Sequence, residues 1–148
     1  MTISAVPLVA VDCVSRDSPL ADAIEILRVN RVAHVPVCEN GKFVGMVGAS
    51  EILAELVPPA VRQLDDLGFA GDILPLLRGR LAALRERKVG EVVARDLPRL
   101  RPDSPLLEAV HMLVQQRISL PVVAADGSFH GLLSRQLLLD YLAGQAGA

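Results

Sequence analysis

The sequence predicts an α/β fold made of two copies of one βαββα unit with a helical insert between them. Three observations predict it: a long internal repeat, the switch within each copy from helical to strand periodicity, and an apolar composition almost without aromatics. Asp17-Ser18-Pro19-Leu20 recurs as Asp103-Ser104-Pro105-Leu106, and over 17–31 against 103–117 seven of fifteen positions are identical. Pro36-Val37 then matches Pro121-Val122 one residue out of frame, and Gly41, Phe43 and Gly45 return to frame with Gly127, Phe129 and Gly131. Two slips that cancel are what a loop deletion and a turn insertion leave behind, so the chain reads as an internal duplication.

Each copy then justifies its elements in order. Pro19 and Pro105 suit the first position of a helix, where a missing N–H costs nothing, and Ser18 and Ser104 are placed to cap it. Leu20, Ala23, Ile24 and Leu27 fall at i, i+3, i+4 and i+7, as do Leu106, Ala109, Val110 and Leu113, the spacing of one apolar helix face. Val32–Cys38 and Ile118–Val123 follow as strands rich in β-branched residues. Each carries a proline, which a fully paired central strand does not accept, so it demands an edge or a break in pairing. Asn40-Gly41 and Asp126-Gly127 are tight-turn dipeptides leading into Phe43–Val47 and Phe129–Leu133. A second helix closes each unit, over Ala49–Val57 before Pro58-Pro59 and over Arg135–Ala143 before Gly144.

The expected organisation is therefore repeat 1 at residues 1–57, a helical insert at 58–87 and repeat 2 at 88–148. The insert is neither Gly/Ser-rich nor polar. Val61, Leu64 and Leu67 suggest a short helix stopped by Gly68. Ile73, Leu76, Leu77, Leu81 and Leu84 suggest another from Asp72, with Pro75 tolerable in its first turn. The apolar face of this second helix is expected to pack on the module, with a contact to another subunit as the alternative.

Composition bounds the function. The 148 residues are 51 % hydrophobic and 3 % aromatic, enough for a core of Leu, Val, Ile and Ala but not for a base-stacking platform. A net charge of −2 weighs against bulk nucleic-acid binding. Between Arg78 and Arg101, however, eight cations face three carboxylates, either a solvated face or an anion site. Cys13 and Cys38 are the only cysteines; with no Cys-x-x-Cys they fit free thiols in apolar surroundings of a reducing compartment. No basic, apolar leader and no membrane-spanning run is evident, so a cytoplasmic chain without membrane insertion is expected. His34, His111 and His130 have no helical metal-site spacing and occupy inequivalent places in the repeat. They read as ordinary surface or half-buried histidines. No nucleophile elbow, phosphate loop or dinucleotide fingerprint occurs. The chain is read as a non-enzyme, with no catalytic residue, metal ligand or required cofactor assigned.

The duplicated set of Asp-Ser-Pro-Leu-x-x-Ala at 17–23 and 103–109, the apolar-Pro-Val strands at Val35 and Leu120, and the Gly-x-Phe-x-Gly hairpins at 41–45 and 127–131 resembles the cystathionine-β-synthase-type (CBS) domain family. That resemblance implies two repeats packed through their sheets about a pseudo-two-fold axis, a Bateman module, which often pairs again as a homodimer. It also implies a regulatory role. Such modules bind adenosine-containing ligands (AMP, ADP, ATP, S-adenosylmethionine or NAD) in clefts between repeats and bias an effector, here an unknown partner protein.

The family's ribose contact follows the hairpin as Gly-x-x-Ser/Thr-x-x-Asp. The first copy reads Gly45-Met46-Val47-Gly48-Ala49-Ser50-Glu51, with Gly at the hydroxyl place and Glu at the carboxylate place. The second reads Gly131-Leu132-Leu133-Ser134-Arg135-Gln136-Leu137, which keeps the hydroxyl and loses the carboxylate. The resemblance thus puts one candidate cleft at Glu51 with Val35, Pro36 and Val37, and a second at Ser134 and Arg135 with Leu120, Pro121 and Val122. Each polar member has a plain alternative: a helix-start glutamate for Glu51, a helix cap for Ser134 and a solvated side chain for Arg135. Two functions stand side by side, an adenosyl-ligand sensor and a dimerisation or docking scaffold with degenerate nucleotide sites.

Overall fold

A computed structural model describes residues 1–59, 71–116 and 118–146. The predicted helix around Val61–Leu67 lies outside the described residues. Repeat 1 contains α1 (Leu20–Asn30), β1 (His34–Glu39), β2 (Lys42–Gly48) and α2 (Ala49–Leu56); α3 (Leu74–Leu84) follows. Repeat 2 contains α4 (Leu106–Gln115), β3 (Leu120–Val123), β4 (Phe129–Leu133) and α5 (Arg135–Ala146). The two hairpins are antiparallel, with Val35 opposite Val47 and Leu120 opposite Leu133. Both carry a register shift just after the strand proline pair, at Val37/Cys38 and Val122/Val123. Asn40 and Gly41 both take positive φ, at 52° and 78°, the geometry Asn-Gly suits. The second turn differs: only Gly127 is left-handed, and the Asp126 carboxylate instead accepts from the Ser128 N–H at 2.9 Å.

The prolines find a break in pairing. Val14 runs parallel to β1 in a single bridge, its N–H donating to Pro36 O at 3.0 Å and its carbonyl accepting from Cys38 N at 2.9 Å. Pairing with this neighbour starts at the Pro36 carbonyl, so its missing N–H leaves no gap in the ladder. Leu100 repeats the arrangement on Pro121 and Val123.

The segments leading into the repeats are exchanged. Ile3 and Val6 belong to the core of repeat 2, with Ala109, Leu113, Leu120, Val122 and Leu133. Val9 bridges Leu132 before the chain crosses to pair Val14 with Val37. The duplicate segment does the reverse: Val89 sits in the core of repeat 1 with Leu20, Ala23, Val35, Val37 and Val47, Ala94 bridges Met46, and Leu100 then pairs with Val122. These two straps explain the last glycine of each hairpin motif. A Cβ at Gly45 would fall on the Ala94 carbonyl oxygen, and one at Gly131 would lie 2.8 Å from Leu8 Cβ. Only glycine lets the strap pass that close.

A third apolar cluster joins the repeats: Phe43, Met46, Val123 and Leu132, with Phe129 against it. Phe43 and Phe129, equivalent residues of the two copies, stack with centroids 5.7 Å apart, within the range of favourable ring pairs. Phe43 N–H also donates to Gly127 O at 2.8 Å. The hairpins therefore meet about the pseudo-two-fold axis.

Two local expectations are corrected. Pro19 and Pro105 stand at the N-cap with extended backbone rather than at the first helical position. Ser18 and Ser104 do not cap α1 and α4. Their hydroxyls accept from the N–H groups of Ser15 and Arg101, at 3.0 and 2.9 Å, closing the preceding turns. The orphan N–H groups of the helix starts go elsewhere: Leu20 and Ala21 donate to the Arg87 and Arg85 carbonyls at 2.7 and 3.0 Å, and Leu106 to Met1 O at 3.2 Å. Distant chain segments thus do the capping. The second insert helix forms as expected, with Leu77, Leu81 and Leu84 packed on the repeat 1 core, while Ile73, Leu74 and Leu76 face outward.

Candidate functional site

The candidate cleft residues lie on β1 and at the start of α2 in repeat 1, and on β3 and at the start of α5 in repeat 2. In repeat 1, Val35, Pro36 and Val37 are all fully buried; their side chains form a floor of the core rather than an open wall. Leu120, Pro121 and Val122 are buried in the same way. The polar members sit at the helix starts. Glu51, in the first turn of α2, turns back so that Oε1 accepts from the Gly48 N–H at 3.0 Å. A ribose hydroxyl reaching this carboxylate would compete with that bond or use its second oxygen.

Gly48 occupies the hydroxyl place, and the structure shows what stands against it. His34 lies opposite Gly48 in the β1–β2 register. A Cβ on Gly48 would come within 2.7 Å of His34 Cδ2 and 2.9 Å of Ala33 O. The imidazole therefore fills the space that a serine side chain needs. Repeat 2 carries the complementary pair: Ser134 follows Leu133, which pairs with Leu120, so Ser119 stands where His34 does. His34 is not a surface or half-buried histidine, as the sequence suggested, but a buried one, 9 % exposed. Its Nδ1 is buried without a hydrogen-bond partner among the described residues. Burial lowers its pKa below the ordinary histidine value, a shift that the nearby Glu51 carboxylate partly opposes.

In repeat 2 the Ser134 hydroxyl accepts from the Leu137 N–H at 3.0 Å, the geometry of a helix N-cap. Arg135 donates from Nη1 to Gln116 O at 2.7 Å, satisfying a carbonyl at the end of α4. Both groups thus already have structural partners, and Leu137 is half-buried at the carboxylate place. Arg135 also borders a small apolar hollow between α4 and α5, lined by Val110, Leu113, Val114 and Leu139.

A larger cleft, which the sequence reading did not place, opens beside the strap of repeat 2. Its volume is about 540 Å³, and Arg99, Arg101, Asp103, Glu108 and Val123–Ala125 are among its lining. Arg99 stacks over the Phe43 ring of the other repeat at 4.9 Å, which puts this cleft at the junction. The excess of cations between Arg78 and Arg101 was the sequence signal for it. Which of those arginines share a cleft was set by the crossing strap.

The cysteines also differ from expectation. Cys13 is exposed and Cys38 half-buried, and their sulfurs approach to 3.0 Å. Among the described residues no helix is long and apolar enough to cross a membrane.

The CBS domain family model matches the chain twice, over residues 3–58 and 89–144. No curated protein matches it. Among solved structures it is similar to the CBS-pair protein CBSX2 from Arabidopsis thaliana, with TM-score 0.79 and 20 % identity over 99 % of this chain and 97 % of that one. CBSX2 in complex with AMP gives TM-score 0.71 and 22 % identity over 99 % and 98 % of the two chains. A hypothetical conserved protein from Geobacillus kaustophilus gives TM-score 0.72 and 26 % identity over 98 % of each chain. The duplicated sequence, the exchanged straps and the hairpin-to-hairpin junction have their explanation here: the chain belongs to the CBS domain family, as a tandem CBS pair in a Bateman-type module.

Proposed function

We propose that this CBS pair is a ligand-sensing regulatory module that takes up an adenosine-containing ligand between its repeats and modulates a partner protein. Repeat 1 at 1–57, the insert at 58–87 and repeat 2 at 88–148 serve as its parts. The observation that carries the reading is the tandem pair itself, together with its likeness to a CBS pair solved with AMP. In repeat 1 the ribose contact is Glu51, at the start of α2, with Val35, Pro36 and Val37 as the rest of the cleft. In repeat 2 the contacts are Ser134 and Arg135, with Leu120, Pro121 and Val122. The ligand is a regulator (an adenine nucleotide or S-adenosylmethionine), not a required cofactor, and it shifts the module only as far as it prefers one conformation. The working location is the cytoplasm, and the working assembly is a homodimer.

A second reading has specific support. Glu51 and Ser134 are both spent on helix caps, and His34 fills the space beside Gly48. At the same time Leu53 and Leu139, equivalent residues on α2 and α5, are 60 % and 62 % exposed. A docking or dimerisation scaffold with degenerate nucleotide sites would look like this.

The deciding experiment is a thermal-shift panel with AMP, ADP, ATP, S-adenosylmethionine and NAD. A ligand at about 100 times its Kd adds roughly 2.7 kcal/mol, several degrees for a chain of this size. Glu51→Gln keeps an acceptor for the Gly48 N–H but removes the charge. Loss of a charged hydrogen bond costs about 1.5–3 kcal/mol, one to two decades in Kd. A shift that Glu51→Gln abolishes while the ligand-free melting point holds supports the sensor. A flat panel favours the scaffold.

A further inference from the structure

Cys13 and Cys38 stand apart from the duplication. Their equivalents in repeat 2 are Arg99 and Val123, so no feature of the repeat demands a thiol at either place. Backbone bonding nonetheless brings them together. The Val14 N–H and C=O grip Pro36 and Cys38 at 3.0 and 2.9 Å. Two residues further on, Arg16 N–H donates to Glu39 Oε1 at 2.7 Å. This clamp fixes Cys13 beside Cys38, with the Cys38 S–H donating to the Cys13 sulfur at 3.0 Å.

We propose that the two cysteines are an oxidation site, at which hydrogen peroxide forms an intramolecular Cys13–Cys38 disulfide that staples the first strap to β1. The roles of the two sulfurs are unequal. Cys13 is exposed and Cys38 half-buried, so a solvent-borne oxidant meets Cys13. Burial, reinforced by the Cys13 sulfur and the Glu39 carboxylate, pushes the Cys38 thiol up to about 12, which keeps it protonated near neutral pH. The Cys13 thiolate attacks one peroxide oxygen, the O–O bond breaks, and Cys13 becomes a sulfenic acid with release of hydroxide. The Cys38 sulfur then attacks the sulfenic sulfur. The S–S bond forms, the S–O bond breaks, and the Cys38 proton leaves with the hydroxyl as water. The two thiols lose two electrons in all, and the peroxide takes them up as it is reduced to two waters, its hydroxide taking the proton that the Cys13 thiol gave up on ionising. A thiol reductant reverses the bond by exchange.

The staple has a structural consequence because of where it falls. Upstream of Cys13 the strap is bonded to repeat 2, through Ile3 to Ser104 and Val9 to Leu132. Immediately downstream it is bonded to β1 of repeat 1. The disulfide closes the repeat 1 end of the crossover between the two repeats.

The test uses the full chain, reduced, freed of reductant and treated with stoichiometric hydrogen peroxide. Tryptic mapping without reductant is expected to join residues 1–16 to residues 32–42, with loss of two hydrogens from the intact mass and recovery of both free thiols on reduction. In Cys38→Ala, dimedone is expected to label Cys13. Disulfide-linked dimers, oxidation of Cys13 to the sulfinic acid with Cys38 left free, or two unmodified thiols in the wild type would each overturn the proposal. The wild-type map decides the matter even if the variant does not fold.

Discussion

Replacing Gly48 with serine restores the hydroxyl that the family pattern places there, and it is predicted to destabilise the protein. Gly48 has φ −119°, an ordinary extended conformation, so the backbone costs nothing and the whole effect is steric. The new Cβ meets His34 Cδ2 at 2.7 Å and Ala33 O at 2.9 Å. Overpacking of this kind costs about 1–3 kcal/mol. Better capping by serine than by glycine returns only a few tenths of a kcal/mol. The net expectation is a loss of about 2 kcal/mol, a fall in Tm of roughly 4–8 °C. His34→Ser with Gly48→Ser recreates the Ser119/Ser134 pair of repeat 2 and removes the ring from the collision. The Ala33 carbonyl stays, so recovery is partial. In a double-mutant cycle the coupling between the two positions should be about 1–2 kcal/mol, in the range for residues in contact. Urea unfolding of the four proteins measures it. A Gly48→Ser protein as stable as the wild type, or a coupling of zero, would falsify the claim that His34 occupies the hydroxyl place.

Other predictions rest on separate contacts. Because burial lowers the His34 pKa, the unfolded chain binds a proton there more readily than the folded one. Stability is therefore unaffected above the unfolded value of 6.5 and falls as the pH drops below it, down to the folded value; His34→Gln should remove that acid-side slope from urea midpoints measured between neutral and mildly acid pH. Phe43→Ala removes a buried ring from the junction and its partner from Phe129, at a cost of about 3 kcal/mol. Separate melting of the two repeats in calorimetry would accompany it if the junction is what couples them, and an unchanged Tm would refute the assignment. If the assembly is a homodimer through α2 and α5, Leu53→Glu with Leu139→Glu should halve the mass seen by sedimentation without lowering Tm more than a few degrees. An unchanged mass would remove that surface from consideration.

The sequence alone determined the architecture of each repeat. Helical spacing from Leu20 and Leu106, β-branched runs around Pro36 and Pro121, and turn residues at Asn40-Gly41 are local signals. They depend on the backbone preferences and apolar periods of a few neighbouring residues. The observed α1, β1, β2, α2 and their copies lie within a few residues of those expectations, and the ordered recurrence of their motifs carries the resemblance to the family. The identities at the candidate site, Gly48 with Glu51 and Ser134 with Leu137, were equally legible.

What only the tertiary structure decided is what each of those groups touches. Ser18 looked like a helix cap, but its hydroxyl closes the turn at Ser15, while carbonyls of Arg85 and Arg87 receive the helix N–H groups. His34 looked ordinary until the β1–β2 register set it against Gly48. Arg99 reaches Phe43, and Cys13 reaches Cys38, because exchanged straps cross between the repeats. Such contacts join residues far apart in sequence, and no local period or propensity encodes them. They are fixed when the two copies bury their cores together, and that shared burial decides which side chains remain free to meet a ligand, an oxidant or a partner.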